Sequence, residues 1–450
     1  MEFYELRYPF NNIFEYVRDY ALNVEGIHLA IGFFIVFYII YSVCKSKLLG
    51  EEKLGTLVVF LWPFTNPAYI YIISLAEFFL VLNALYIIIF GARFNKNIIF
   101  TQFVLLCFSI LLHFIMVNLY LLLSTGKFII LQGDAVGISL AGDNFFNRFI
   151  VIFKVLLIPF LFLSFSKVKS IATLSEISRI GSKVAALISV VYIIQFVVLL
   201  SGRVPYGTFD SAGFGGFPSF AAVSVERGHL SKFMAPFLPF LLIDMYLNRR
   251  YMPIILYTSM MLLNFSASGY IFFACAIFAT IFLCRRVIFT RENAKYTLPA
   301  VFLSLVITSI YLWFFSSTLN YLLDKVFDFV FSGDETGGRT ISLLMQYLDL
   351  YPYGFGYGGS TFRTIYGLPE INMGIYSMFT QIGIIAFFFY VYLIGCAIVV
   401  SKRSKTVVEK ILCGGVILMP IVFSADILWF VPTYWAPLIL ISWFQINRER

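Results

Sequence analysis

The sequence predicts an all-α fold, a polytopic bundle of about twelve helices, each long enough to cross a bilayer with about 20 apolar residues. Three observations carry that reading. Of the 450 residues, 60% are hydrophobic and only 12% are charged, with a mean hydropathy of +0.90, whereas a soluble domain carries about 25% charged residues. Apolar runs of spanning length recur along the whole chain. Lys and Arg gather on alternate connections, as short cytoplasmic loops require.

Residues 1–25 hold Glu2, Glu5, Glu15, Asp19 and Glu25 against Arg7 and Arg18. They lack the basic start and cleavage site of a secretory signal, and read as an interfacial segment before the first span. Apolar runs follow at 26–44, 68–91, 98–122, 148–166, 184–201, 231–247, 252–266, 268–284, 297–316, 373–399, 410–425 and 428–446. The stretch 252–284 is too long for one span. Ser266-Ala267-Ser268-Gly269 at its middle suits a tight helical hairpin turn. The chain therefore divides into a bundle over 26–316 with an outer loop at 202–230, a large outer loop at 317–372, and C-terminal helices over 373–450.

One set of connections holds Arg93, Lys96, Lys167, Lys169, Arg179, Lys183, Arg249, Arg250, Arg285, Arg286, Arg291, Lys295, Lys402, Arg403, Lys405, Lys410, Arg448 and Arg450. The alternate set, although its loops are longer, holds Lys127, Arg203, Arg227, Lys325, Arg339 and Arg363. The first set is expected in the cytoplasm, the C-terminus with it. The net charge of +8 thus reports topology rather than nucleic-acid binding. Lys45, Lys47 and Lys53 break the alternation if the first span has its N-terminus inside. Either Gly55 to Phe64 forms a short extra or re-entrant segment, broken at Asn66-Pro67, or the acidic N-terminus lies outside. The cysteines all sit in or beside apolar runs, so no disulfide framework or zinc cluster is expected.

Both long outer loops carry candidate chemistry, since loops beyond about 15 residues tend to be functional or disordered. In the second, Gly337-Gly338 precedes Arg339, and an amphipathic helix follows with Leu343, Leu344, Tyr347, Leu348 and Tyr351 on or near one face. Pro352 and Gly354 stop it. Arg339 beside free backbone amides suits a bidentate clamp on phosphate oxygens; the alternative is an ion pair with Asp334 or Glu335. In the first loop, a flexible stretch over 213–218 precedes Glu226-Arg227-Gly228-His229 at the mouth of a span. A carboxylate or imidazole base beside a cation suits acid–base chemistry with an anionic leaving group; the alternative is a helix cap. Glu77 and Lys154 lie within apolar runs, where ionisable groups are costly and often functional, although Lys154 could instead snorkel. His113 reads as a packing residue. The nucleotide-binding Gly-x4-Gly-Lys loop, the Gly-x-Ser-x-Gly elbow and the His-Glu-x-x-His helix are all missing. No outer Asp-x-Asp pair is present to hold a divalent metal. A metal-independent reaction without a cofactor is expected.

These motifs resemble the O-antigen and polysaccharide polymerases (Wzy-type) and their relatives, the O-antigen ligases. The likeness covers most of the chain in span layout and is specific over about 224–270 and 337–383. Glu226, Gly228 and His229 are similar to the acid, small residue and histidine that often open a helix in the family. Ser266 to Gly269 resemble its small-residue hairpin, without the arginine often found there. Arg339, Pro352, Gly354 and Gly356 reproduce an arginine, a helix and a Pro-x-Gly-x-Gly turn. Glu370-Ile371-Asn372 stands where a His-Asn pair is common. The loop 317–372 has no histidine, which favours the polymerase branch over the ligases.

The resemblance implies a glycosyltransferase of the cell inner membrane that works at its periplasmic face. It would join oligosaccharide repeat units carried on undecaprenyl pyrophosphate, one as donor and one as acceptor. Arg339 and Arg227, then Arg203 and Arg363, would contact pyrophosphate; Glu226 or His229 would be the base; Tyr353, Tyr357, Glu370 and Asn372 would meet the sugars. Expected partners are membrane lipid, a chain-length regulator and a flippase of the same pathway, with no nucleic acid. A lipid-linked oligosaccharide flippase or other transporter is the alternative from a different class.

Overall fold

A computed structural model of the chain describes residues 26–62, 69–70, 73–91, 97–125, 145–201, 208–214, 217–220, 222, 227–264, 266–288, 341–350, 374–426 and 428–448. These residues are helical apart from two short antiparallel hairpins. The expected interfacial segment 1–25, the run 297–316 and most of the loop 317–372 lie outside the described residues.

The chain opens with α1 (Gly26–Lys45) and α2 (Gly50–Leu61), followed by β1 (Tyr69–Ile70), β2 (Ile73–Ser74) and α3 (Leu75–Phe90). Then come α4 (Ile98–Thr125), α5 (Phe145–Ser164) and α6 (Ile171–Leu200), and a hairpin of β3 (Thr208–Phe214) and β4 (Phe217–Phe220). After it stand α7 (Arg227–Met234), a 3-10 turn (Ala235–Phe237), α8 (Leu238–Asn248), α9 (Met252–Leu263) and α10 (Ala267–Ile288). The C-terminal part has α11 (Ile341–Leu350), α12 (Gly374–Ile382), α13 (Ile385–Arg403), α14 (Val407–Ala425) and α15 (Pro432–Arg448).

Five segments, Ile98–Val117, Ile171–Leu200, Leu230–Asn248, Ile385–Arg403 and Val407–Ala425, are long and apolar enough to cross a membrane. Five shorter helices are equally apolar in character, among them Ala30–Lys45 and Leu75–Phe90. Their outward faces are as apolar as their inward ones. On α1, Phe34 and Phe37 are 66% and 67% exposed. On α4, Leu105, Phe108, Leu112 and Ile115 make an exposed stripe at helical spacing. Helices that are hydrophobic all round and still show such faces belong in a bilayer. The protein is a helical membrane protein.

The centre of the bundle is aromatic. Trp435 packs against Phe103, Phe389 and Phe423 with ring centroids 4.5, 5.9 and 5.9 Å apart. Because an indole N–H must find an acceptor when buried, Trp435 donates to the Trp429 carbonyl at 2.8 Å and Trp443 to the Phe162 carbonyl at 2.6 Å. The second bond ties α15 to α5.

Contacts at the helix ends define two ends of the bundle. Lys167, just after α5, pairs with Glu51 of α2 at 2.6 Å. Asn447 of α15 donates to the Ser166 and Val168 carbonyls, Arg448 pairs with Glu409 of α14 at 2.5 Å, and Asn248 of α8 bonds Ser175 of α6. Lys45 and Lys183 line one cavity here. The basic connections among the described residues therefore lie together, and Lys45, Lys47 and Lys53 join them.

The stretch 45–62 is thereby explained, the expected break at Asn66-Pro67 lying outside the described residues. α2 leaves the basic end at Glu51 and reaches the first turn of α15, where Thr433 donates to the Val59 carbonyl at 2.8 Å. α3 returns beside it, with Asn83 accepting from Ser164 at the end of α5. The two form an antiparallel pair, so α1 begins at the low-charge end. The twelve apolar runs left α2 out of the span list, and α2 is the short extra segment weighed there.

Two other expectations need correction. The run 184–201 is only the apolar part of α6, which starts at Ile171 because Ser170 caps it by accepting from Thr173 N–H. The run 373–399 is two helices, broken where Gly383 takes φ +55°, a conformation that other residues adopt at a penalty. In the stretch 213–218, Phe214 of β3 pairs with Phe217 of β4, and Gly215-Gly216 lie outside the described residues.

Candidate functional site at the low-charge end

The two stretches that carry the family likeness meet on one wall of the low-charge end. Ahead of α7 the backbone is held by Ala222, fully buried and left-handed at φ +53°. Its N–H donates to Gln195 Oε1 of α6 at 2.8 Å. This bond positions the chain four residues before Glu226. α7 then presents Ser231 and Lys232 to neighbouring helices.

Ser231 donates to Ser266 Oγ at 2.9 Å, and Ser266 accepts from Gly269 N–H at 3.3 Å as the cap of α10. A Cβ on Gly269 would come within 2.5 Å of the Ser231 Cβ. The hairpin at 266–269 is therefore small because α7 lies directly on it. Lys232 pairs with Asp426 through Nζ and Oδ2, and its carbonyl accepts from the Tyr434 hydroxyl. Asp426 ends α14, its N–H donating to the Val422 carbonyl. α12 starts against the same residue, since a Cβ on Gly374 would meet the Phe423 and Asp426 carbonyls.

α11 packs on α12. It starts two residues after Arg339 and buries Leu343, Leu344 and Tyr347 while exposing Met345 and Asp349, as its amphipathic pattern requires. α12 is lined with polar groups: Ser377 accepts from Gln381 Nε2 at 2.8 Å through Oγ and from Thr380 at 2.9 Å through its carbonyl. Gln381 Oε1 is buried with no partner among the described residues.

A second ion pair lies between α5 and α3. Lys154, halfway along α5, pairs with Glu77 of α3 and sits 5.8 Å from the Phe430 ring centroid. The segment from Asp426 to Phe430 thus runs between the two pairs. Lys154 is held by a carboxylate rather than snorkelling to the surface.

Of the residues expected to act, Arg227 and His229 are placed by backbone in the first turn of α7, their side chains lying outside the described residues. Glu226, Arg203, Arg339, Arg363, Tyr353, Tyr357, Glu370 and Asn372 lie outside them altogether. Lys232 and Asp426 did not stand out in sequence. The available signal was Asp426 itself, a lone acid between the apolar runs 410–425 and 428–446. Compared with known proteins, the chain matches no family model, no curated protein and no solved structure.

Proposed function

We propose that this protein is a polysaccharide polymerase. It joins undecaprenyl-pyrophosphate-linked oligosaccharide units at the low-charge end of the bundle, which we assign to the periplasmic face of the inner membrane. One observation carries the reading: the helix opened by Arg227, the small-residue hairpin and the α11–α12 unit after Arg339 converge around Lys232 and Asp426.

In this reading a hydroxyl oxygen of the acceptor sugar attacks the donor's anomeric carbon. The anomeric C–O bond breaks, its electron pair leaving on the lipid pyrophosphate, and Glu226 or His229 takes the hydroxyl proton. Arg339 and Arg227 hold the leaving pyrophosphate, with Arg203 and Arg363 beside them, since fixed cations stabilise charge that develops on departure. Tyr353, Tyr357, Glu370 and Asn372 face the sugars. No step needs a metal or cofactor.

The test is Arg339→Ala in purified protein reconstituted with lipid-linked repeat units. Loss of the polymer ladder at normal protein level is expected. A ladder of unchanged length and amount would overturn the clamp. In cells, single lipid-linked units accumulating on the inner leaflet would mark a flippase instead.

A further inference from the structure

At the basic end, α1 and the turn after it face the first turns of α6 across a cavity of about 740 Å³, a size common among small-molecule sites. Its charged lining is Lys45, Lys47, Arg179 and Lys183 against one carboxylate, Glu176. That carboxylate is already engaged, 2.5 Å from Arg179 Nη2. Among the described residues, Lys45 donates to the Tyr41 hydroxyl alone, at 3.4 Å. Lys47 and Lys183 have no acidic partner among the described residues, and Arg179 Nε is buried with no acceptor.

Among the described residues the recess carries an excess of three positive charges, on exposed Lys45 and Lys47 and half-buried Lys183, and such a concentration of one sign in a concave surface attracts an anion. Elsewhere at this end the matched arrangement is used, as in Lys167 with Glu51 and Arg448 with Glu409. The cavity also adjoins lipid. Tyr41 lines it while remaining exposed on α1, and Phe34 and Phe37 continue that exposed face by helical spacing.

We propose that this cavity binds the headgroup of an anionic phospholipid from the leaflet at the basic end. The phosphate lies among Lys47, Arg179 and Lys183, and the acyl chains run along Phe34 and Phe37. Basic recesses between membrane helices are suited to such headgroups, and the continuity with an apolar strip selects a lipid over a free phosphate. The site is at the opposite end from the proposed reaction and stands independently of it.

The experiment is native mass spectrometry of the full chain in detergent, titrated with phosphatidylglycerol or phosphatidylcholine. Phosphatidylglycerol is expected to bind at least about tenfold more tightly, since each surface cation contributes about fivefold. Lys47→Gln and Lys183→Gln should each remove about fivefold. Lys402→Gln with Arg403→Gln, equally basic but outside the cavity, should remove none. Equal binding of the two lipids, or equal loss in the control, overturns the site in favour of diffuse attraction. Competition by glycerol 3-phosphate at matching affinity overturns the lipid as source. If Lys183→Gln does not fold, Lys47→Gln, which alters an exposed side chain, decides alone.

Discussion

At the basic end, Lys402 and Arg403 stand in solvent, while the acids Glu51 and Glu409 serve to tie helix ends together. In the other half, Lys154 and Lys232 each reach across to an acid on a different helix, Glu77 and Asp426. The contrast follows from solvation. A cation at the basic rim keeps its water and its interaction with lipid headgroups, so it needs no partner and can be spent on topology. A cation inside the bundle has neither, and persists only beside a carboxylate.

The sharpest way to break this comparison is to strand one member of the Lys154–Glu77 pair. Lys154→Met leaves Glu77 charged among apolar helices, and a loss of about 2.5–3.5 kcal/mol is expected. Thermal or denaturant unfolding in detergent measures it. Adding Glu77→Gln should recover most of the loss, because the penalty belongs to the unmatched charge rather than to the missing contact. If Lys154→Met unfolds no more easily than Lys402→Met, the two ends do not differ in the way argued.

A smaller effect is expected at the approach to α7. Gln195→Leu removes the acceptor of a fully buried N–H at Ala222, which should destabilise by about 1–3 kcal/mol. If the bond also positions the segment before Glu226, polymer yield falls further than stability alone explains. The control is a variant of equal stability altered at the other end, such as Trp443→Phe, which loses the bond to the Phe162 carbonyl. Equal yields from the two would leave Gln195 a purely structural residue.

How much of this was readable in the sequence depended on whether a residue's cause was local. The apolar runs, the turn at 266–269 and the amphipathic face of α11 follow from hydropathy and periodicity, which neighbouring residues set. The reason for the small residues at 266–269 did not, because Ser231, which crowds Gly269, is more than thirty positions away. α2 does not show as an apolar run for a related reason. Its twelve residues include Glu51, Glu52 and Lys53, too polar for a hydropathy window, and it is buried because α1, α3, α5, α6 and α15 pack around it. The start of α6 was lost to Glu176, Arg179 and Lys183, which are helical but line the basic cavity instead of lipid. Lys232 and Asp426 find each other across nearly two hundred residues, and nothing in either segment announces the other.

The smallest expected effect sharpens the comparison from the basic side. Lys402→Met with Arg403→Met removes two exposed cations at the end of α13, and stability should change by no more than about 0.5 kcal/mol. Orientation should also hold, because the bias is a sum over many connections, and Lys45, Lys47 and Lys53 now add to it. Labelling of Asn447→Cys with a membrane-impermeant thiol reagent reads the side directly, with Cys44, the exposed native cysteine, replaced by Ser. Protection in intact cells and reaction after lysis are expected for both the parent and the double variant. Reaction in intact cells would place the basic end outside and with it reverse the assignment of the reaction face. A stability loss near that of Lys154→Met would mean that the rim cations are held by specific contacts rather than by water.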